Sequence, residues 1–566
     1  MRTGRAQPGR PGGRRQGDEE VPVTDDGPST PIGRAPDQPD DARIPTIPEL
    51  VARELAEIVG EEWVRVERAS VDEFKDPFWI PGDETYAASA VVQPGTVEEV
   101  QEVLRLANRH GVPVSPHSQG RNLGHGGASP RKRGAIQLGF QRMNRVLEID
   151  EELALAVVEP GVTWQDLYDE VSQRGLDLLT PVPDLGWGSV VGNTMDSGHT
   201  YQDYGADYRL AAGFEVVLPD GELLRTGQGA IPGGKAGHTY RRSLGPSLDE
   251  LFIQSNLGIV VRMGVWLKRR PEAYAPLVLV VGEDEDLEAA VDTIRELRLA
   301  GHLEGVPALY STLRAAHMVL DAPVPPRALP YSVEELRQLG TEKDVGAWAL
   351  RAAVWGDREI VEIKLRRVLE AWERIPSGRV HPVRVYARTE YEEFTRSAEK
   401  ITIGIPTLKA IESTPDHVAH LDVSPVVPMR GSAIREVVEE LRGHYAGAGL
   451  SFGVGIMVVG ERSAVAIAGI RYDRTDEVSA RTAVETGRRM VAALGELGYG
   501  DCRPHLEFMD LAQSAYSFNG HAYRRFVERL KDAVDPNGVL APGRHGIWPA
   551  RDRADGAVDP AAAGND

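Results

Sequence analysis

Ser118-Gln-Gly-Arg-Asn-Leu-Gly-His-Gly-Gly-Ala-Ser-Pro130 (SQGRNLGHGGASP) places four glycines within thirteen residues and runs on into RKRGAIQLGF. Gly120, Gly124, Gly126 and Gly127 carry no Cβ and tolerate positive φ, so successive N–H groups can converge on one anion. The dinucleotide fingerprint G-x-G-x-x-G must follow a strand and open a helix. Here the loop leads instead into GAIQLGF, whose apolar alternation reads as a strand, which argues against a Rossmann fold. A phosphate cradle and a ligand-free glycine hairpin both remain open from this segment alone.

Working outward, TVEEVQEVLRLANRHGVPV predicts a helix with Thr96 and Glu99 as a capping box, Val100, Val103, Leu104 and Ala107 on one face, and a stop at Gly111. LALAVVEPGV reads as a strand, and TWQDLYDEVSQRG as a helix capped by Thr163 and Asp166. FEVVLPDGELLRTG is a hairpin turning at Pro219-Asp220-Gly221, and LGIVVRMGVWLKRR a further buried strand. From about residue 273 amphipathic helices dominate, in DEDLEAAVDTIRELRLA, REIVEIKLRRVLEAWERI, AIREVVEELRGHYAGAG and VSARTAVETGRRMVAALGELG, with a strand pair in GIMVVGERSAVAIAGIRY. The expected fold is α+β. Residues 1–45 and 551–566 have the polar, Pro- and Gly-rich composition of disordered tails.

At 566 residues the chain exceeds one core of ordinary size. Its 85 acidic against 64 basic residues, net charge −21, argue against nucleic acid as the main partner. A single cysteine, Cys502, rules out an intramolecular disulfide framework and a cysteine-built metal site, and no metal is expected. Arg14-Arg15 is followed by no apolar segment, and no run approaches the roughly 20 apolar residues that span a bilayer. The expected location is the cytoplasm.

A second glycine-rich stretch, PVPDLGWGSVVGNTMDSGHTYQDYG, contains Gly186, Gly188, Gly192 and Gly198, with Ser189 and Asn193 as polar partners and Asp184 at its start. A third, SNLGIVV, sets Gly258 before a β-branched strand. Three segments with exposed backbone in one region point to an extended ligand held by main-chain atoms.

Taken in order, GRNLGHGGASP, VVEPGVTWQDL, VPDLGWGSVVGN, FEVVLPDGELLRTG, SNLGIV and AVDPNGVLAPGRHGIWP resemble the vanillyl-alcohol oxidase and 4-cresol dehydrogenase family of FAD enzymes over nearly all of residues 46–550. The resemblance implies an FAD-binding domain in residues 46–272, a substrate cap in 273–500, and a return to the FAD-binding domain in 501–550. It implies that Ser118, Gly120, Arg121, Asn122, Leu123, Gly124 and Gly126 wrap the pyrophosphate. Gly188, Ser189, Gly192, Asn193, Gly258 and Ile259 would line the cofactor, with Arg544 of APGRHG approaching its flavin end. His420 of HVAHLDVSPVV aligns with the histidine that the oxidase joins covalently to its flavin; His417 is the second choice, and a histidine satisfied within the fold is the structural alternative. Where that oxidase has a histidine assisting attachment, KDPFWIPG has Phe78 and Trp79.

By the same resemblance Asp184 sits beside the reactive flavin atom N5, where a carboxylate can move the proton that accompanies hydride transfer; a turn aspartate capping N–H groups is the plain alternative. Phenol oxidisers of the family hold the phenolate with two tyrosines and an arginine, and the matching positions here are His125, Cys502 and Arg503. Asp422 stands where an aromatic residue is usual, which makes the substrate pocket more polar. Tyr201 matches a pocket tyrosine, His199 and Tyr204 lie beside it in sequence, and His505 and Glu507 read as scaffold. The expected enzyme takes a hydride from a para-substituted phenol or an aromatic or allylic alcohol. Its expected acceptor is dioxygen, with a cytochrome or other electron carrier as the alternative, and a homodimer or larger assembly is implied. A same-fold oxidase of a sugar or hydroxy acid, or a noncatalytic binding protein, are the rival readings.

Overall fold

The computed structural model describes residues 45–202, 209–322 and 330–553. Tyr204 and the expected N-terminal tail through residue 44 lie outside them. The four-stranded sheet shows why the opening glycine loop matters. Val114–His117 and Ile136–Gly139 are adjacent parallel strands, flanked by Ala90–Val92 and Val64–Arg65. Parallel neighbours need a long crossover, which is usually a helix. Here the crossover is the glycine loop itself, so it must leave the sheet and return.

Helix Val97–His110 covers this sheet through Val100, Val103, Leu104 and Ala107 and ends at Gly111 with φ 65°. Its expected capping box forms by half. The Thr96 hydroxyl accepts from the Glu99 N–H at 3.1 Å, but the Glu99 carboxylate takes the Gly95 N–H at 2.7 Å instead of reaching the cap residue. The box at Thr163 and Asp166 is complete. An antiparallel five-stranded sheet follows, in the order Val146–Asp150, Leu155–Val158, Ile259–Trp266, Ala211–Val217, Leu223–Arg225.

The largest sheet draws its strands from residues 273–473. Its main path runs Gly378–Val380, Ala273–Val281, Trp348–Gly356, Ala308–Ser311, Val454–Met457, Ser463–Asp473, Val418–Val423. Strand alternation divides its two faces. Leu421, Ile470, Ile456, Leu309 and Leu350 point into a core shared with helices Leu287–Leu299, Arg358–Trp372, Gly431–Gly447 and Glu477–Glu496. His420 and Asp422, Arg471, Gly455 and Tyr310 point the other way, into a cavity. The C-terminal tail read from composition begins too early, because Asp552 is buried, bonds Lys132 at 2.5 Å, and belongs to a short helix, Ala550–Asp552. Among the described residues no helix is long and apolar enough to cross a membrane.

Candidate active site

A cavity of about 450 Å³ is walled by the opening glycine loop, the second glycine stretch, Gly258–Ile259, the inner face of the large sheet, and the returning residues Cys502, Arg503, Arg544 and His545. Of the residues expected at the site, Ser118, Gly120, Arg121, Asn122, Leu123, His125, Asp184, Gly188, Ser189, Gly192 and Asn193 line it. So do His199, Tyr201, Gly258, Ile259, His420, Asp422, Cys502, Arg503 and Arg544. Gly124 and Gly126 do not. A Cβ on Gly124 would lie 2.8 Å from the His420 ring, and one on Gly126, at φ 107°, 2.3 Å from Leu506 Cγ. These two glycines let the loop press against protein. His417, Trp79, His505 and Glu507 also lie off the wall; His505 is fully buried, 3.1 Å from Asp76 and stacked on Trp79.

Asp184 is held at both oxygens. The Tyr201 hydroxyl donates to Oδ2 at 2.5 Å and Arg351 Nη2 to Oδ1 at 2.9 Å; Arg351 also donates to the Tyr310 hydroxyl at 2.8 Å and stacks over the Tyr201 ring at 4.2 Å. Burial drives the Tyr201 hydroxyl well above its usual pKa, reinforced by the Asp184 charge, so it stays a donor. Arg351, only 1% exposed, was not singled out in the sequence. Its signal was there: one arginine in the apolar strand WALRAAVWG must have an anionic partner.

Asp196 is the second missed residue and the hub of the opposite wall. Arg503 Nε and Arg544 Nη2 each donate to it at 3.0 Å, and Asn122 Nδ2 at 2.7 Å, while Arg503 Nη2 donates to Asn122 Oδ1 at 2.8 Å. Burial alone would raise its pKa, but Arg544 and Arg503 hold the carboxyl far below the usual range. The loop, the second glycine stretch and the returning segment therefore meet in one charged knot.

Six histidines line the cavity, and burial keeps all of them neutral near pH 7: His117, His199 and His317 are pushed down to about 4, His125 and His545 to about 3, and His420 is lowered as well. His420 Nε2 and His125 Nε2 lie 3.5 Å and 3.7 Å from Asp422 Oδ2. Phe78 sets its ring edge-on to His420 at 5.1 Å.

Asp501 orients the arginine segment by accepting the Arg503 N–H at 2.9 Å and the Ser424 N–H at 3.2 Å, and burial pushes its pKa up to about 6. The folded state thus prefers the neutral acid. This contribution to stability is full below the unfolded value of about 3.9 and is lost as pH rises through about 6. Asp501→Asn keeps one of the two acceptors and escapes the cost of ionisation, so its change in thermal midpoint relative to the unaltered protein is expected to be more favourable at about pH 8 than at about pH 5; scanning calorimetry at both pH values checks it.

Residues 88–227 match the FAD binding domain model. The chain is 30% identical to the 4-cresol dehydrogenase [hydroxylating] flavoprotein subunit of Pseudomonas putida, over 87% of this chain and 94% of that one. The chain belongs to the vanillyl-alcohol oxidase and 4-cresol dehydrogenase flavoprotein family. It is 31% identical to 1'-carboxy-chondrochloren decarboxylase of Chondromyces crocatus, over 83% of this chain and 93% of that one. Among solved structures, 4-ethylphenol oxidase from Gulosibacter chungangensis, as its isoeugenol complex, superposes with a TM-score of 0.84 at 34% identity, covering 90% of this chain and all of that one. As a member of this family the chain is an FAD-dependent oxidoreductase of α+β fold.

The cavity fits that cofactor. His117 Nδ1 and Nε2, Asn193 Nδ2 and His199 Nδ1 are buried in its wall without partners, an arrangement that costs about 1–3 kcal/mol per group unless a polar ligand satisfies them.

Proposed function

We propose that this flavoprotein oxidises a para-substituted phenol or an aromatic or allylic alcohol at the C–H bond facing Asp184. The observation that carries the reading is the location of Asp184, fixed by Tyr201 and Arg351, on the same cavity wall system as the glycine loops and the Arg503 group. In this reading Ser118, Gly120, Arg121, Asn122 and Leu123 cradle the pyrophosphate, and Gly188, Ser189, Gly192, Asn193, Gly258, Ile259 and Arg544 seat the rest of the cofactor. Bound FAD supplies the hydride acceptor. Arg503 and the neutral His125 hold the substrate oxygen and stabilise its negative charge by charge-assisted hydrogen bonds. Arg503 is suited to this because Asp196 and Asn122 engage its Nε and Nη2 and fix its plane. Asp184 takes the proton that accompanies the hydride loss, from the hydroxyl of an alcohol or from the water that attacks the quinone methide, and later returns it. A phenol passes through a quinone methide that water attacks, and an alcohol yields an aldehyde or ketone.

Dioxygen is the proposed acceptor, supported by the likeness to an oxidase. Substrate-dependent oxygen consumption with peroxide formation tests it, and turnover seen only with an artificial electron acceptor would overturn it. The domain limits at residues 46, 273 and 501, a homodimer and a cytoplasmic location complete the proposal. A non-phenolic substrate is the second reading, favoured by His125 and Cys502 in place of tyrosines.

His420 is the proposed point of covalent attachment. Its imidazole is neutral, a state required of a nitrogen nucleophile, and part of its side chain, 31%, is open toward the cavity. Acid precipitation is expected to leave the yellow colour in the pellet, and His420→Ala to move it to the supernatant with FAD still bound in the native protein. Colour released by acid from the unaltered protein would refute the bond.

A further inference from the structure

Five arginines and three aspartates line the cavity. Arg503 and Arg544 share Asp196, Asp184 is taken by Arg351 from behind, and Arg121 lies against Trp187 with its Nη1 on the Trp187 carbonyl. That leaves Arg314 and Arg471. Among the described residues neither guanidinium has a hydrogen-bond or ion-pair partner, and Arg314 Nε is buried without one.

Their placement is built by the large sheet. Arg471 stands on Ser463–Asp473 directly across from His420, and Arg314 reaches over the same face from helix Thr312–Leu320. Gly469 pairs with Asp422 two register positions on, on the same face, and a Cβ there would lie 2.2 Å from Arg314 Nη1. The missing side chain is the space in which the guanidinium rests. The nearby titratable groups do not neutralise the pair. His317, on the same helix, is kept neutral by burial and by the two arginines. Asp422 is the nearby carboxylate; it lies closest to His420 and His125, its charge acts on both arginines without an ion pair to either, and one carboxylate against two guanidiniums leaves the group net positive. Burial and the charge of Arg314 push Arg471 down to about 10.

We propose that Arg314 and Arg471 form a carboxylate subsite, so that the substrate is an aromatic compound bearing an acidic side chain, held against the large sheet while its reacting carbon faces Asp184. Two guanidiniums with no ion-pair partner, and only Asp422 nearby to offset them, are costly to keep in a cavity wall, and a bidentate carboxylate meets both their remaining charge and their planar donor geometry. The inference rests on the proposed oxidation and specifies its substrate class.

The test uses the FAD-loaded enzyme without oxygen and two probes of nearly equal shape, 3-(4-hydroxyphenyl)propanoate and its primary amide, in which an NH2 donor replaces one carboxylate oxygen and the negative charge is removed. Calorimetry is expected to show the acid binding about 10- to 100-fold more tightly than the amide. Arg314→Met and Arg471→Met are each expected to abolish that preference, and Arg471→Lys to restore part of it. Amide affinity should change by less than about threefold and FAD content should be unaltered. Equal affinities for acid and amide, no binding of the acid, or loss of FAD from the methionine variants would overturn the proposal, the last because the anion would then be the cofactor's. Should a variant fail to fold, the comparison of acid with amide on the unaltered enzyme decides alone. A charge preference with no flavin bleaching by either probe would refute the oxidation and leave the subsite standing.

Discussion

Asp184→Asn is expected to slow substrate-driven flavin bleaching by about 10²- to 10⁴-fold, the range that a positioned acid or base contributes. The substitution keeps the side-chain shape and an oxygen for the Tyr201 hydroxyl, but it removes the charge and the proton affinity. It also leaves Arg351, 1% exposed, facing a neutral amide, which costs about 1–3 kcal/mol of stability. Rapid-mixing spectroscopy on protein shown to be folded and FAD-loaded separates the two effects. A bleaching rate within about threefold of the unaltered enzyme would assign Asp184 to the scaffold and sink the proton-handling role.

Asp196→Ala is expected to cost about 3 kcal/mol or more, because it leaves Arg503 and Arg544 together without their shared anion. The pH dependence has a definite sign. The folded-state pKa of Asp196 lies far below the unfolded value of about 3.9, so its contribution is full above that value and is lost as the pH falls toward the folded one. The penalty of the variant is therefore largest near neutral pH and shrinks below about pH 4. Urea unfolding of both proteins across that range measures it. A penalty that grows on acidification would mean that the carboxylate is not the anchor of the two arginines.

Much of the local structure was legible because it depends on neighbours in sequence. The stop at Gly111, the complete box at Thr163 and Asp166, and the turn at Pro219-Asp220-Gly221 are set within a few residues of themselves. The half-formed box at Thr96 departs because Gly95 offers the Glu99 carboxylate a competing N–H one residue upstream. Composition placed the C-terminal tail too early, since it could not register that Lys132 reaches Asp552.

Arg351 and Asp196 escaped notice for a different reason. Each gains its meaning from partners more than a hundred residues away, Asp184 for the one and Arg503 with Arg544 for the other. Gly124 and Gly126 mislead in the opposite direction: their lack of a Cβ was visible, but whether it admits a ligand or a neighbouring side chain was not.

The amino-acid order alone determined the glycine loops, the helix and strand pattern and the family likeness, because these are carried by residue types and short spacings. Only the tertiary structure decided which charged groups pair across the cavity and which, Arg314 and Arg471, find no ion-pair partner among the described residues, because ion pairing depends on distances between strands and helices that meet only when the chain is folded.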